Sequence, residues 1–127
     1  MTDEEMARVC AHIRSALELR ARRRGGAATH SLEHVLEGVR EGRYQLWAGK
    51  ACTVVTEILA YPLGRDLNYW LAGGDLEDMK TLEPGIEAWA RAAGCRRVTT
   101  LGVRRAGGEI LKARGWSHLA DVMEKEL

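Results

Sequence analysis

Apolar residues in positions 1–43 recur at the spacing of two amphipathic helices. The first run follows a capping box formed by Thr2 and Glu5 and stops at Gly25-Gly26. Its apolar positions are Met6, Val9, Ile13 and Leu17. Ser31 is the predicted N-cap of a second, shorter helix that ends near Gly42. Its apolar face consists of Leu32, Val35, Leu36 and Val39.

From Tyr44 onward the pattern changes to that of β-strands. The stretches YQLWA, ACTVVTEILAY and LNYWLA are rich in β-branched, aromatic and aliphatic residues. Turn residues separate them, at Gly49-Lys50 and in PLGRD. We therefore predict that these three segments form an antiparallel meander.

The remainder of the chain alternates between helical and strand patterns. An apolar stripe that ends at Gly94 predicts a helix, but Pro84 interrupts it, so we expect one helix around 75–82 and another from Pro84. CRRVTTLGV predicts a strand, AGGEILKARGW a helix closing at Gly115, and SHLADVMEKEL a last strand. Since the order strand, helix, strand requires a parallel pair, the predicted fold class is α/β (α+β) with a mixed, mostly antiparallel sheet.

Length and composition are those of one intracellular domain. The 127 residues, 46% of them hydrophobic, are enough for a single core over 1–127, and the net charge of +1 argues against a general nucleic-acid binder. Apolar runs of membrane length and a signal-peptide pattern are missing, so we expect a soluble protein in the cytoplasm. The three cysteines, Cys10, Cys52 and Cys95, are widely spaced and are predicted to be reduced thiols.

The order of elements and the amino-acid sequence of the second half resemble those of the GNAT (N-acetyltransferase-like) fold. GIEAWARAAGCRRVTTLGV is similar to the helix and strand that follow its acyl-CoA site, and ILKARGW is similar to its helix ending in LYEKLGF. The resemblance covers roughly 44–127 and implies a GNAT-like sheet with helices on both faces, preceded by a helical N-terminal part (1–43). More narrowly, YQLWAGKACTVVTEILAYP, WLAGGDLEDM and IEAWARAAGC resemble small GNAT-like proteins of tailed phages and prophages, some relatives of which are internal virion proteins.

The resemblance places an acyl-CoA site at WLAGGDLEDM. GNAT enzymes bind the pyrophosphate of acetyl-CoA on backbone N–H groups at a helix start, behind an Arg or Gln that this stretch lacks. Gly73 and Gly74 would be the cofactor-binding residues, yet Asp75, Glu77 and Asp78 fill the first helical turn, where a dianion would be repelled. Asp75 is better explained as an N-cap, and we interpret Gly73-Gly74 as a turn.

The catalytic residues that the resemblance implies are also sparse. The tyrosine that serves GNAT enzymes as a general acid corresponds here to Leu111, which cannot donate a proton. Glu57 is the strand-borne candidate for a general base, with a solvent-facing position as the alternative. Arg104 and Arg105 could hold a phosphate beside Gly107-Gly108, or could form a basic surface turn.

Two further patterns suggest other chemistry. HSLEH, from His30 to His34, matches the H-x-x-E-H zinc-peptidase pattern, but with Ser31 as N-cap His30 would precede the helix and the two rings would not share a face. We therefore predict no metal site. A basic set could contact nucleic acid, although its first members also complement a helix C-terminus; it comprises Arg20, Arg22, Arg23, Arg24, Arg96, Arg97, Arg104 and Arg105.

The preferred interpretation is a GNAT-like protein of phage or prophage type whose acyl-CoA site is degenerate and which acts through protein contacts, as an accessory or virion protein. The first alternative is an active acetyl-CoA-dependent N-acetyltransferase that uses Glu57 and the Gly73-Gly74 amides. The second is a nucleic-acid accessory factor. Since the usual first strand of a GNAT sheet has no counterpart in the sequence, we expect a protein partner or a second copy at an open sheet edge.

Overall fold

The computed structural model of the chain describes residues 1–101 and 105–127. Its helices are α1 (Asp3–Arg23), α2 (Leu32–Arg40), α3 (Leu76–Ala92) and α4 (Arg105–Ala113). Its strands are β1 (Tyr44–Ala48), β2 (Cys52–Tyr61), β3 (Gly64–Gly74) and β4 (Cys95–Thr100). The predicted α+β class with a mixed sheet is confirmed.

The predicted helix starts are confirmed at the level of single hydrogen bonds. Thr2 Oγ1 accepts the Glu5 N–H at 3.1 Å, and Ser31 Oγ accepts the His34 N–H at 3.3 Å. At the second cap the reciprocal bond comes from the imidazole, because His34 Nδ1 accepts the Ser31 N–H at 3.0 Å. Each cap satisfies donors that a helix start leaves without intrahelical partners.

The four-stranded sheet has the order β1-β2-β3-β4 among the described residues. β1 with β2 and β2 with β3 are antiparallel, as the meander predicts, whereas β3 and β4 are parallel. A β-bulge at Trp70 shifts the register between Val55 and Thr56, so Trp70 and Leu71 both pack on the same side of the sheet. The last β3–β4 pair joins Tyr69 to Thr100, and β3 continues without β4 from there.

The sheet separates two cores, because successive β2 residues point to opposite faces. Val55 packs with α1 and α2, and Val54 packs with α3. The first core contains Val9, Ile13, Ala16, Leu32, Val35, Val55 and Leu71. The second contains Val54, Leu67, Ile86 and Ala90. Helices therefore cover both faces of the sheet.

The predicted break at Pro84 is wrong, since α3 runs through it without interruption. Met79 and Leu82 before the proline pack against the same core as Ile86 and Ala90 after it. Burial of both halves on one sheet face outweighs the lost hydrogen bond and the steric conflict of an interior proline.

The predicted last strand is also absent, because 117–127 has no strand pairing. Trp116 packs edge-on against Tyr69, with ring centroids 5.5 Å apart, and Glu124 forms an ion pair with Arg24 at the end of α1. These two contacts attach the segment to β3 and to the end of α1. In the described part of the chain, no helix is long and apolar enough to span a membrane.

Candidate functional site

Gly73 and Gly74 are the last residues of β3, so the predicted turn is wrong. They pair with Thr53 and Cys52 of β2, and α3 begins two residues later. The role predicted for Asp75 is confirmed, because it is the N-cap of α3 and its Oδ1 accepts the Glu77 N–H at 3.1 Å.

Close packing explains why glycine occupies position 73. A Cβ atom there would collide with the carbonyl oxygen of His12, since α1 crosses directly over the end of β3. The His12 side chain also contacts β2, the strand paired with this end of β3. Its Nδ1 lies 3.0 Å from Thr53 Oγ1. Helix α1 therefore covers Gly73, the first of the two predicted cofactor-binding glycines.

The carboxylates of the first α3 turn bind neighbouring backbone groups. Asp78 Oδ2 accepts the Ala51 N–H at 2.7 Å, and the Asp75 N–H donates to the Ala51 carbonyl at 2.9 Å. The Ala51 N–H and then the Cys52 thiol lower the pKa of Asp78. Burial, followed by the nearby Asp78, raises the pKa of Cys52 to about 11, which keeps this thiol protonated at neutral pH. The start of α3 is thus tied to the turn between β1 and β2.

Glu57 belongs to a row of polar side chains on the α1 face of the sheet. Asn68 Nδ2 donates to Glu57 Oε1 at 3.1 Å, and Thr99 Oγ1 donates to Asn68 Oδ1 at 3.2 Å. Asn68 is buried, while Glu57 and Thr99 are half-buried. Glu57 is therefore partly exposed and also hydrogen-bonded within the sheet, and its role as a base stays a prediction.

Arg20 completes this group from α1. Its Nη2 and Nε donate to the Trp70 carbonyl oxygen at 2.6 and 3.2 Å, just past the last β3–β4 pair. Burial and the charge of Arg23 lower the pKa of Arg20, and the charge of Glu57 acts in the opposite direction. We call the group of Arg20, Glu57, Asn68, Trp70 and Thr99 the strand-divergence site.

Arg20, Asn68 and Thr99 were not predicted from the sequence as members of this site. Arg20 carried a readable signal, because it lies four residues after Ala16 and seven after Ile13, on the buried stripe of α1. Asn68 and Thr99 come together only through the parallel pairing of β3 with β4.

The remaining predicted residues do not join this site among the side chains that the structure describes. Arg104 lies outside the described residues, and of Arg105 only its position as the first residue of α4 is described. Leu111, which the sequence resemblance aligns with the tyrosine of GNAT enzymes, is half-buried in α4.

The two histidines of HSLEH line a surface cavity near the start of α2. His30 precedes the helix as predicted, and its ring centroid lies 6.3 Å from that of His34 and 4.6 Å from that of Trp70. The cavity has a volume of about 260 Å³ and is lined by Thr29, His30, His34, Glu37, Arg43 and Tyr44. Within 1–101 and 105–127, no group of three or more His, Cys, Asp or Glu residues is arranged to hold a metal ion.

A second polar group lies on the opposite face, where the chain leaves α4. Arg114 Nε donates to Glu83 Oε2 at 2.8 Å, and the buried hydroxyl oxygen of Tyr69 has no partner among the described residues. Burial, then the charges of Glu83 and Glu87, raises the pKa of Tyr69 far above its usual value. Burial and the neighbouring Glu83 also raise the pKa of Glu87. These contacts attach the end of α4 to α3 and β3.

Comparison with known proteins identifies the fold. No family model matches the chain, and no curated protein matches it. A tetramutant of the BH1408 protein from Bacillus halodurans superposes with a TM-score of 0.73 at 12% identity, covering 100% of this chain and 97% of that one. Wild-type TTHA1254 from Thermus thermophilus gives 0.63 at 18% identity, covering 100% and 93%, and a point mutant of the same protein gives 0.64 at 17% with the same coverage. At these identities the likeness shows the fold alone.

Proposed function

We propose that this protein is a GNAT-like domain that has lost acyl-CoA binding and acts through protein contacts, as an accessory protein of phage or prophage type made in the host cytoplasm. The observation that carries the proposal is the packing of α1 on Gly73, which leaves no room for even a methyl group above the end of β3. A pyrophosphate is far larger than a methyl group.

The start of α3 supports the same conclusion. A bound pyrophosphate needs free backbone N–H groups at a helix start. Here the Asp75 carboxylate accepts the Glu77 N–H, and the Asp75 N–H itself donates to Ala51. An incoming dianion would have to displace the cap and then lie beside the Asp75 and Glu77 carboxylates, which repel it.

Protein contacts are favoured by the large apolar side chains that the fold leaves in solvent. Leu63 at the β2–β3 turn is 89% exposed, and Met123 is 93% exposed. The phage-type assignment rests on the sequence resemblance described above. Two members of the basic set, Arg20 and Arg24, are used within the fold, which weakens the nucleic-acid alternative.

Titration calorimetry with acetyl-CoA tests the loss of the cofactor. We expect no saturable heat at about 1 mM ligand, a limit that corresponds to roughly −4 kcal/mol. A double variant, Asp75→Ser with Glu77→Gln, keeps an N-cap while removing two charges. If neither protein binds acetyl-CoA, the result supports blockage of the cofactor site by α1. If only the variant binds it, the result supports blockage of the site by charge. Micromolar binding by the natural chain would overturn the proposal.

An active N-acetyltransferase is the second candidate, and the strand-divergence site is the observation that favours it. Glu57 is half-buried there and is oriented by Asn68, as a positioned base should be. If acetyl transfer to an amine is detected, Glu57→Gln should lower its rate about 100-fold or more, whereas Glu33→Gln on exposed α2 should leave it unchanged. An equal rate in both variants would exclude Glu57 as the base.

A further inference from the structure

β4 has an open edge in the described structure. It pairs with β3 on one side, and no described residue pairs with its other side. In a parallel pair, alternate N–H and C=O groups of an edge strand point away from the partner. An edge of this kind is a template for another strand, and β4 offers six residues for pairing.

The 117–127 segment carries large apolar side chains that lie in solvent. Their exposed fractions are 84% for Leu119, 70% for Val122 and 93% for Met123. The sequence predicts a last strand over this segment, yet the segment has no strand pairing with any described residue of its own chain. Six extended residues span about 20 Å, the length of β4.

Charge on the two elements is complementary. β4 carries Arg96 and Arg97, both exposed, while the segment carries Asp121, Glu124 and Glu126 against Lys125. Strand pairing between them would place opposite charges across the ladder, which favours this pairing over that of two β4 edges, where like charges would meet.

The segment is held at one end of its own β4. Trp116 packs on Tyr69, which pairs with Thr100 at the last position of β4. Glu124 pairs with Arg24, one helical turn beyond the Arg20 that binds the carbonyl of Trp70. Both anchors therefore lie near the C-terminal end of β4, and residues between them do not run along its edge.

We propose that two copies of this chain exchange their 117–127 segments, each segment pairing with β4 of the other copy. Trp116 stays docked on Tyr69 in its own chain, and the exchange gives up the Arg24–Glu124 ion pair, whose two side chains are 47% and 53% exposed. Exposed pairs of this kind contribute little to stability. The two-fold arrangement pairs the β4 edge of each copy at once and buries the apolar side chains of the segment.

In this exchange the partner for the proposed protein contacts is a second copy of the chain. The exchange does not depend on the loss of acyl-CoA binding. Light scattering coupled to size exclusion reports it directly, whereas calorimetry with acetyl-CoA reports the cofactor site. Failure of one proposal is therefore distinguishable from failure of the other.

The test measures the mass of the full chain at about 100 µM and across a dilution series. We expect twice the 14.1 kDa of one chain. The double variant Val122→Asp with Met123→Asp should be monomeric, with its dimer dissociation constant raised at least about 100-fold, because each apolar group that would be buried is replaced by a carboxylate. Both side chains are exposed in the single chain, so the folded monomer should keep its circular dichroism spectrum.

Leu63→Asp is the matched control, because Leu63 is 89% exposed, between Val122 at 70% and Met123 at 93%, but lies at the β2–β3 turn. It should remain dimeric. A monomeric natural chain would overturn the proposal, because the 117–127 segment would then remain with its own chain. A dimer that survives the double variant, or one that Leu63→Asp dissociates, would place the interface elsewhere and overturn it as well.

Discussion

At the scale of single residues, Gly73 shows how a sequence feature acquires a different meaning in the fold. A glycine pair before a helix start is compatible with a phosphate cradle, a turn or a close approach of two backbones. The structure selects the last of these, since α1 meets β3 at the His12 carbonyl. The glycine is therefore a packing residue.

Gly73→Ala should destabilise the protein by about 1–3 kcal/mol, because the added methyl group must push α1 away from β3. Urea denaturation followed by tryptophan fluorescence measures the free energy of unfolding. Gly85→Ala is the control, since Gly85 lies in α3 with open space around its Cβ position. It should stabilise by about 0.5–1 kcal/mol, and equal effects at the two sites would contradict the packing argument.

At the scale of elements, α3 shows tertiary packing overriding a local signal. Pro84 predicts a boundary because it cannot donate the hydrogen bond of an interior residue. Yet Leu82 and Ile86, two residues to either side, contact one core, and Pro84 itself is exposed. A break would detach one half of the apolar stripe from the sheet.

Pro84→Ala should therefore raise the free energy of unfolding by about 2 kcal/mol, the interior penalty of proline less the gain that proline gives by restricting the unfolded chain. Thermal unfolding followed by far-ultraviolet circular dichroism measures it. An unchanged or lower midpoint would mean that the proline ring makes a contact that compensates for its backbone cost.

At the scale of the whole molecule, adjacent residues of β2 join the two cores. Val54 and Val55 lie on opposite faces of one strand, so neither core can disassemble while β2 stays paired. We expect the protein to unfold in one cooperative transition.

Ile13→Ala and Ile86→Ala test this coupling from the two faces, since each isoleucine is 1% exposed. Each variant should lose about 2–5 kcal/mol. Fluorescence and circular dichroism should still report coincident transitions, whichever core carries the substitution. Two separate transitions in either variant would show that the cores unfold independently.

Elements with local causes were predictable from the order of residues alone. The caps at Thr2, Ser31 and Asp75 could be assigned because a side-chain oxygen meets an N–H two or three residues away. The meander followed from apolar composition and turn residues, and the parallel pair followed from the order of strand, helix and strand.

Features that depend on contacts between distant residues became visible only in the folded chain. The strand-divergence site brings Arg20 of α1 to Trp70 of β3, and Glu57 of β2 to Asn68. The crossing of α1 closes the space above Gly73, and packing on the second core carries α3 through Pro84 without a break. The physical reason is that these features depend on where packed elements cross. Apolar periodicity predicts which face of an element a residue lies on, but it does not predict which residues pack against that face.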